Sequence, residues 1–384
     1  MIIRKVKLKN WRNFRSVSFD LKSTTYVLGP NASGKSNLLD VFRFLRDVCN
    51  PRGGGLQTAV DRRGGIKNLR CLHARRDTEV VCEFYFSDDF NESITWNYIL
   101  GFKPEGKGAQ RLLVSTERVV KGTQTILDRP NDADKKDPYQ LTETHLEQAR
   151  SNREFREISD VFRKTVYLHL VPQLLKYDSL SSSASVEDDP FGFRFLEIIA
   201  ATPTRTRDSR LKKIQNALKD AVPNFEQIVF EKDENTGKPH LKGRYSHHRP
   251  NGAWQREDQF SDGTLRLIGI LWSLLDGEGL LLVEEPELSL NSEVVKQIPI
   301  LIEQIQKQRK KKRRQVILST HSESLLTNPG IDSEGIVILE PTTDGTTIRT
   351  VSPPEKAAIE SGISVAEVIL PKMAPSNAGQ MRLL

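Results

Sequence analysis

The sequence predicts an α/β protein. A mixed, largely parallel sheet carries a phosphate-binding loop, an antiparallel β subdomain adjoins it, and a helical lobe is inserted between its halves. Three observations predict this. Gly29-Pro30-Asn31-Ala32-Ser33-Gly34-Lys35-Ser36 is a full G-x-x-x-x-G-K-S loop between an apolar run, Tyr26-Val27-Leu28, and an amphipathic stretch over 38–45. Two later apolar runs, 280–283 and 316–318, end abruptly in polar residues, as buried parallel strands do where their C-terminal ends hold chemistry. Glu79-Val80-Val81-Cys82-Glu83-Phe84-Tyr85-Phe86 is rich in β-formers, which suits a strand of an antiparallel sheet.

The loop dictates its own chemistry. Gly29 and Gly34 allow a tight turn whose N–H groups converge on phosphate oxygens. The helix starting near Lys35 adds the positive end of its dipole. Lys35 would reach the outer phosphates of a nucleoside triphosphate, and the Ser36 hydroxyl would bind Mg²⁺. Asn31, Ala32, Ser33, Gly34, Lys35, Ser36 and Asn37 are the candidate contacts with ATP.

Composition sets the bounds. The 384 residues allow one large domain or two moderate ones, and 37% hydrophobic with 28% charged residues suits a chain with a sizeable core. No apolar run approaches the ~20 residues of a membrane span, and the start alternates like a strand rather than a signal peptide. Cys49, Cys71 and Cys82 are too few and too irregular for a disulfide framework or a zinc site, so a cytoplasmic protein with reduced thiols is expected. The net charge of +7 has a local origin: Lys307-Gln308-Arg309-Lys310-Lys311-Lys312-Arg313-Arg314 holds seven basic residues, and without them the basic residues only equal the 50 acidic ones. Two readings stand: a patch for the phosphate backbone of DNA, or a solvated helix end favoured by the dipole.

In chain order, 2–8, 17–21 and 24–28 read as a hairpin or meander. The helix over 38–48 is broken at Pro51-Arg52-Gly53-Gly54-Gly55. Strands over 75–86 and 93–100 belong to an antiparallel sheet that 111–120 and 124–127 could continue. A polar loop covers 128–140, a charged helical pattern runs over 143–175, and 179–190 is a Ser-rich acidic loop. Helices follow at 191–200 and 207–221, then strands at 225–230 and 239–245. His247-His248 has no acid or cysteine at ligand spacing and reads as a surface loop. The expected domains are 1–100, the first part of the head; 101–225, the helical lobe; 226–350, the second part of the head; and 351–384, a tail.

Phe260-Ser261-Asp262-Gly263-Thr264-Leu265-Arg266 opens an apolar helix over 267–275. Ser261 offers a hydroxyl and Gly263 a close backbone approach, again an anion site at a helix N-terminus; a simple N-cap is the other reading. After the strand 280–283, Glu284 would hold Mg²⁺ through water, and Glu285 would orient and deprotonate the attacking water. A last strand ends in Ser319-Thr320-His321-Ser322.

Strand, Asn10-Trp11-Arg12-Asn13-Phe14-Arg15-Ser16 turn, strand, strand, phosphate loop, S-D-G-T element, E-E-P-E and S-T-H-S, in that order, resembles the RecF, SMC and overcoming-lysogenisation-defect (OLD) group of the ABC ATPase superfamily. The resemblance covers most of 1–60 and 255–340, and the middle by position only. It implies an ABC-type ATPase head. Arg12 or Arg15 would touch phosphate, and Gln57 would join the Mg²⁺ shell. Ser261 and Gly263 would act as the signature, and His321 as the switch histidine near the γ-phosphate. Asp262, Thr264, Asn291 and Glu284 depart from the usual pattern; Glu284 stands where most relatives have Asp. The resemblance further implies a homodimer or higher homo-oligomer closing around ATP. The E-E-P-E-L-S-L-N form resembles the OLD branch more than RecF itself and implies a stand-alone ATPase without a Toprim domain, serving as sensor or regulator of an effector, a nuclease or toxin encoded nearby, in bacterial antiphage defence. A RecF-like DNA-binding repair ATPase and a scaffold that barely hydrolyses ATP are the alternatives.

Overall fold

The computed structural model describes residues 1–74, 76–106, 111–176, 192, 194–246, 253–308 and 314–373. The strands in chain order are β1 (Ile2–Trp11), β2 (Phe14–Asp20), β3 (Thr24–Leu28), β4 (Val80–Ser87), β5 (Trp96–Pro104), β6 (Leu112–Lys121), β7 (Gln124–Arg129), β8 (Val166–Leu168), β9 (Phe225–Lys232), β10 (Pro239–Tyr245), β11 (Ala253–Arg256), β12 (Leu281–Glu284), β13 (Val316–Thr320), β14 (Ile336–Thr342) and β15 (Gly345–Thr350). They form three sheets: an antiparallel one ordered β2-β1-β4-β5-β6-β7, a small one ordered β11-β10-β9, and a mixed one ordered β15-β14-β3-β13-β12-β8. In the last, β14, β3, β13, β12 and β8 run parallel and β15 closes the edge antiparallel.

The parallel strands carry unbroken apolar stretches, such as Leu281–Val283 on β12 and Val316–Leu318 on β13, because both faces are covered there. On β12, Leu282 joins the core that includes the antiparallel sheet, while Leu281 and Val283 join a second core with the helices Asp262–Leu275 and Ser292–Gln308. On β3 Val27 divides from Tyr26 and Leu28 in the same way. The helix α1 (Lys35–Val48) lies in the first of these layers and is buried nearly all round, at Leu38, Leu39, Val41, Phe42, Phe44, Leu45 and Val48. Its aromatics dock on the antiparallel sheet: the Phe44 ring is 5.2 Å from Trp11 and 5.5 Å from Phe102, and Phe42 meets Phe84 edge-on at 5.9 Å. Each such buried ring stabilises by about 1.5–3 kcal/mol over an exposed one. The phosphate loop therefore sits on a helix that cannot shift without disturbing both sheets.

Three expectations are corrected. The first three strands are not one meander, because β1 and β2 pair with each other while β3 crosses into the parallel sheet between β13 and β14. Residues 101–225 are not a helical lobe: β6 and β7 complete the antiparallel sheet, and β8 is the edge strand beside β12. The helical pattern over 143–175 includes one eight-residue helix, Arg156–Arg163, which buries Ile158 and Phe162 under the antiparallel sheet. The loop 179–190, His247-His248 and residues 309–313 of the basic run lie outside the described residues. Arg314, at the end of that run, is not surface charge. It is 1% exposed and donates to the carbonyls of Gly279, Ser273 and Asp276. Lys307 pairs with Glu303 at 2.7 Å.

Candidate functional site

The register of three strands brings the chemistry to one edge. Thr320 pairs with Leu28 across β13 and β3, and Ser319 pairs with Glu284 across β13 and β12. The loop after Leu28, the acids ending β12 and His321 after β13 therefore leave the C-terminal edge side by side, where open parallel sheets bind ligands.

The loop is held in an anion-receiving shape. Ala32 and Gly34 have φ of 63° and 97°. At Gly34 a Cβ would run into the Asn13 side chain, so the position excludes larger residues on two grounds. Asn13 Nδ2 donates to Ser33 O at 2.8 Å and to Thr346 Oγ1 at 2.7 Å, while its Oδ1 accepts from Asn37 Nδ2 at 2.9 Å. Thr346 Oγ1 also donates to Ser33 O at 2.9 Å, and Trp11 Nε1 to Asn37 O at 2.8 Å. The 10–13 turn and β15 thus brace the loop from behind. Lys35 Nζ folds back on the carbonyls of Gly29 (3.0 Å) and Pro30 (3.3 Å). Burial lowers its pKa, against the opposing charges of Glu285, Glu287 and Glu284. Ser33 Oγ is buried without a partner, an orphaned donor in a loop that an anion would satisfy.

Three carboxylates follow β12. Glu284 divides its oxygens: Oε1 accepts from the Ser36 hydroxyl and Oε2 from the Tyr167 hydroxyl. Glu285 has φ of 41°, and its N–H donates to Ser319 O at 3.0 Å. A left-handed glutamate at a strand end stores strain of the kind found at functional sites. His321 Nδ1 is 3.3 Å from Glu285 Oε1 and 3.7 Å from Glu287 Oε1. Glu287 Oε1 accepts from Thr320 Oγ1 at 2.7 Å and from the His321 N–H at 3.2 Å, and its Oε2 is buried without a partner. Lys35, Ser36, Glu284, Glu285 and His321 are thus gathered as expected. Asn13, Tyr167, Glu287 and Thr346 belong to the same constellation and were not foreseen. Glu287 was within reach of sequence reasoning, because it lies in E-E-P-E itself. Tyr167 was not, because nothing local marks a three-residue edge strand.

The S-D-G-T corner turns elsewhere. Ser261 is exposed and caps the helix Asp262–Leu275, accepting from Thr264 N at 3.1 Å. Asp262 is held by Gln173 at 2.5 Å and Lys176 at 2.6 Å. At Gly263 a Cβ would lie 2.5 Å from Ser289 O, so the corner packs on the loop that follows the acids. Arg266, its pKa lowered by burial, donates to Glu285 O at 3.5 Å. None of these bonds reaches the phosphate loop.

Two expected contacts are corrected. Gln57, on α2 (Leu56–Asp61), donates to Leu112 O at 2.9 Å and Thr142 O at 2.7 Å and accepts from Leu112 N at 3.2 Å. Its amide is spent joining α2 to β6, so it is a structural residue and no metal ligand. Arg12 donates to Asp40 Oδ2 at 2.9 Å and to Asn68 O at 3.4 Å, beside α1 rather than over the loop. Asp40 also takes Arg63 at 2.9 Å. Burial would raise the Asp40 carboxyl, but the charges and hydrogen bonds of Arg63 and then Arg12 hold it below the usual carboxylate range.

Among the described residues no three His, Cys, Asp or Glu side chains cluster as a metal cage. The Ser36 hydroxyl with one Glu284 oxygen is instead the sparse hard-oxygen pair that suits Mg²⁺ carried on a triphosphate. No helix among the described residues is long and apolar enough to cross a membrane.

Residues 25–327 match the family described as "AAA domain, putative AbiEii toxin, Type IV TA system". Over 44 residues the chain is 43% identical to the chromosome partition protein Smc of Methanocaldococcus jannaschii, a stretch covering 11% of this chain and 4% of that protein. Among solved structures, an SMC head bound to the C-winged helix domain of ScpA matches 92% of this chain and 99% of its own, at 14% identity and a TM-score of 0.54. The SMC head domain from Thermotoga maritima matches 92% of this chain and 100% of its own, at 14% identity and a TM-score of 0.48. The first of these likenesses is one of fold: the mixed α/β architecture is that of an SMC head.

Proposed function

The chain belongs to the AAA-domain family that spans its residues 25–327 and is an SMC-like ABC ATPase head in fold; on that premise we propose that it binds and hydrolyses ATP and closes as a homodimer around it. The observation that carries this is the meeting of Lys35, Ser36, Glu284, Glu285 and His321 at one sheet edge. Lys35 leaves the Gly29 and Pro30 carbonyls to neutralise the outer phosphates, and the loop N–H groups, with Ser33 Oγ, take the remaining oxygens. Glu285, backed by His321, accepts the proton of the water attacking the γ-phosphorus, and ADP departs. Ser36 and Glu284 would hold Mg²⁺, which would supply charge neutralisation on the triphosphate. The exposed Ser261 and the corner at Gly263 make no bond to their own loop and complete the site of a second copy. ATP then joins two chains, and its hydrolysis releases them.

The family description names a toxin of a toxin–antitoxin system. It supports the further reading that the head regulates an effector, nuclease or toxin, in antiphage defence from the cytoplasm. The DNA-repair reading rested on the basic run, of which Arg314 is buried. Turnover assays with Lys35→Ala and Glu285→Gln test the core proposal. Wild type should release phosphate, Lys35→Ala should bind no ATP, and Glu285→Gln should bind ATP without turnover. Full turnover by Glu285→Gln would refute the base assignment.

A further inference from the structure

One contact in the site has no counterpart in the loop chemistry above. Tyr167 lies on β8 opposite Leu282, and Leu282 and Glu284 share a face of β12. A tyrosine is long enough to reach the diagonal neighbour on that face, and its hydroxyl donates to Glu284 Oε2. Tyr167 is 9% exposed. The Arg43 guanidinium lies over its ring, 4.2 Å from the ring centroid. Arg43 stands seven residues after Ser36, on the same face of α1. A closed circuit results: Ser36 holds one oxygen of Glu284, Tyr167 holds the other, Arg43 holds Tyr167, and α1 joins Arg43 to Ser36.

We propose that Tyr167 is a positioning residue for Glu284, fixing Oε2 so that Oε1 alone is presented to Ser36 and the metal. The assignment rests on the nucleotide reading above. Its physical cause is the length of Glu284. A glutamate has one more rotatable bond than an aspartate, so its carboxylate must be anchored before it can serve as a metal-side acceptor. An aspartate at 284 would withdraw the carboxylate by ~1.5 Å, one C–C bond, and leave the phenol behind.

The test is a Mg²⁺ titration of protein loaded with a fluorescent ATP analogue, in wild type, Tyr167→Phe, Glu284→Asp and the double variant, with analogue affinity in EDTA measured alongside. Tyr167→Phe should leave EDTA binding unchanged and weaken the apparent Mg²⁺ affinity by about tenfold, the usual effect of removing a group that orients a metal ligand. In the Glu284→Asp background the same change should have no effect. Equal weakening in both backgrounds, or none in either, overturns the assignment while analogue binding leaves the nucleotide reading intact. A wild-type chain that takes up no analogue overturns both.

Discussion

Asn13→Ala removes the brace behind the phosphate loop and nothing that a nucleotide would touch. Three side-chain hydrogen bonds are lost, to Ser33 O, to Thr346 Oγ1 and from Asn37 Nδ2, at 2.8, 2.7 and 2.9 Å. Each contributes about 0.5–1.5 kcal/mol net. The loss is partly offset, because Thr346 Oγ1 still donates to Ser33 O and Thr346 N still bonds Asn13 O. About 1–3 kcal/mol remains, and since Ser33 and Asn37 flank the anion-binding turn, most of it should appear as poorer nucleotide affinity, about 5- to 100-fold. Asn13→Asp should be worse than Asn13→Ala, because a carboxylate would face the Ser33 carbonyl that Nδ2 now serves. Equilibrium binding of a fluorescent ATP analogue, with urea unfolding as the control, measures both. An Asn13→Ala protein with wild-type affinity and lowered stability would refute the idea that this turn pre-shapes the loop.

Three further outcomes are expected. Asp40→Asn removes one partner of a buried ionic group, which costs about 3–5 kcal/mol near neutrality. Because the folded carboxyl lies below its unfolded value of about 3.9, its stabilisation is present above that pH and lost as pH falls through the folded pKa. Acid unfolding curves of Asp40→Asn should therefore be flatter below about pH 4 than those of the wild type. Gln57→Ala should cost about 1.5–4 kcal/mol in urea unfolding through its three lost hydrogen bonds, and leave the Mg²⁺ dependence of nucleotide binding unchanged. Gly263→Ala puts a methyl 2.5 Å from Ser289 O, which is backbone and cannot yield cheaply; it should abolish turnover while a single chain still binds the ATP analogue.

The local elements that carry the candidate site were legible in the sequence, and long-range pairing was not. The loop between β3 and α1, the paired acids ending β12 and the histidine after β13 each announce themselves, because an apolar run stops at a polar residue. The strand 239–245 was readable to its ends, paired across the turn Asp233-Glu234-Asn235-Thr236-Gly237 with the strand before it. That β3 leaves its neighbours β1 and β2 was hidden, because a strand's sequence records that its faces are buried and not which strand lies beside it. β8 was hidden because three residues cannot display a period, and Tyr167 went with it. Gln57 and Arg12 were placed by analogy of position. Their side chains found nearer partners, in Leu112 and Thr142 for one and in Asp40 for the other.

The central claim is that the site is divided between two chains, and a mixing experiment tests it most directly. Lys35→Ala keeps a working corner at Ser261–Gly263 and has no working loop. Ser261→Arg keeps the loop and has no working corner. Each alone should be inactive. When the two are mixed in equal amounts, a pair holding one of each chain has one intact composite site of two, so turnover should recover to roughly a quarter to a half of wild type. A mixture no more active than its two components, with both variants folded and Ser261→Arg binding the ATP analogue, would contradict the account.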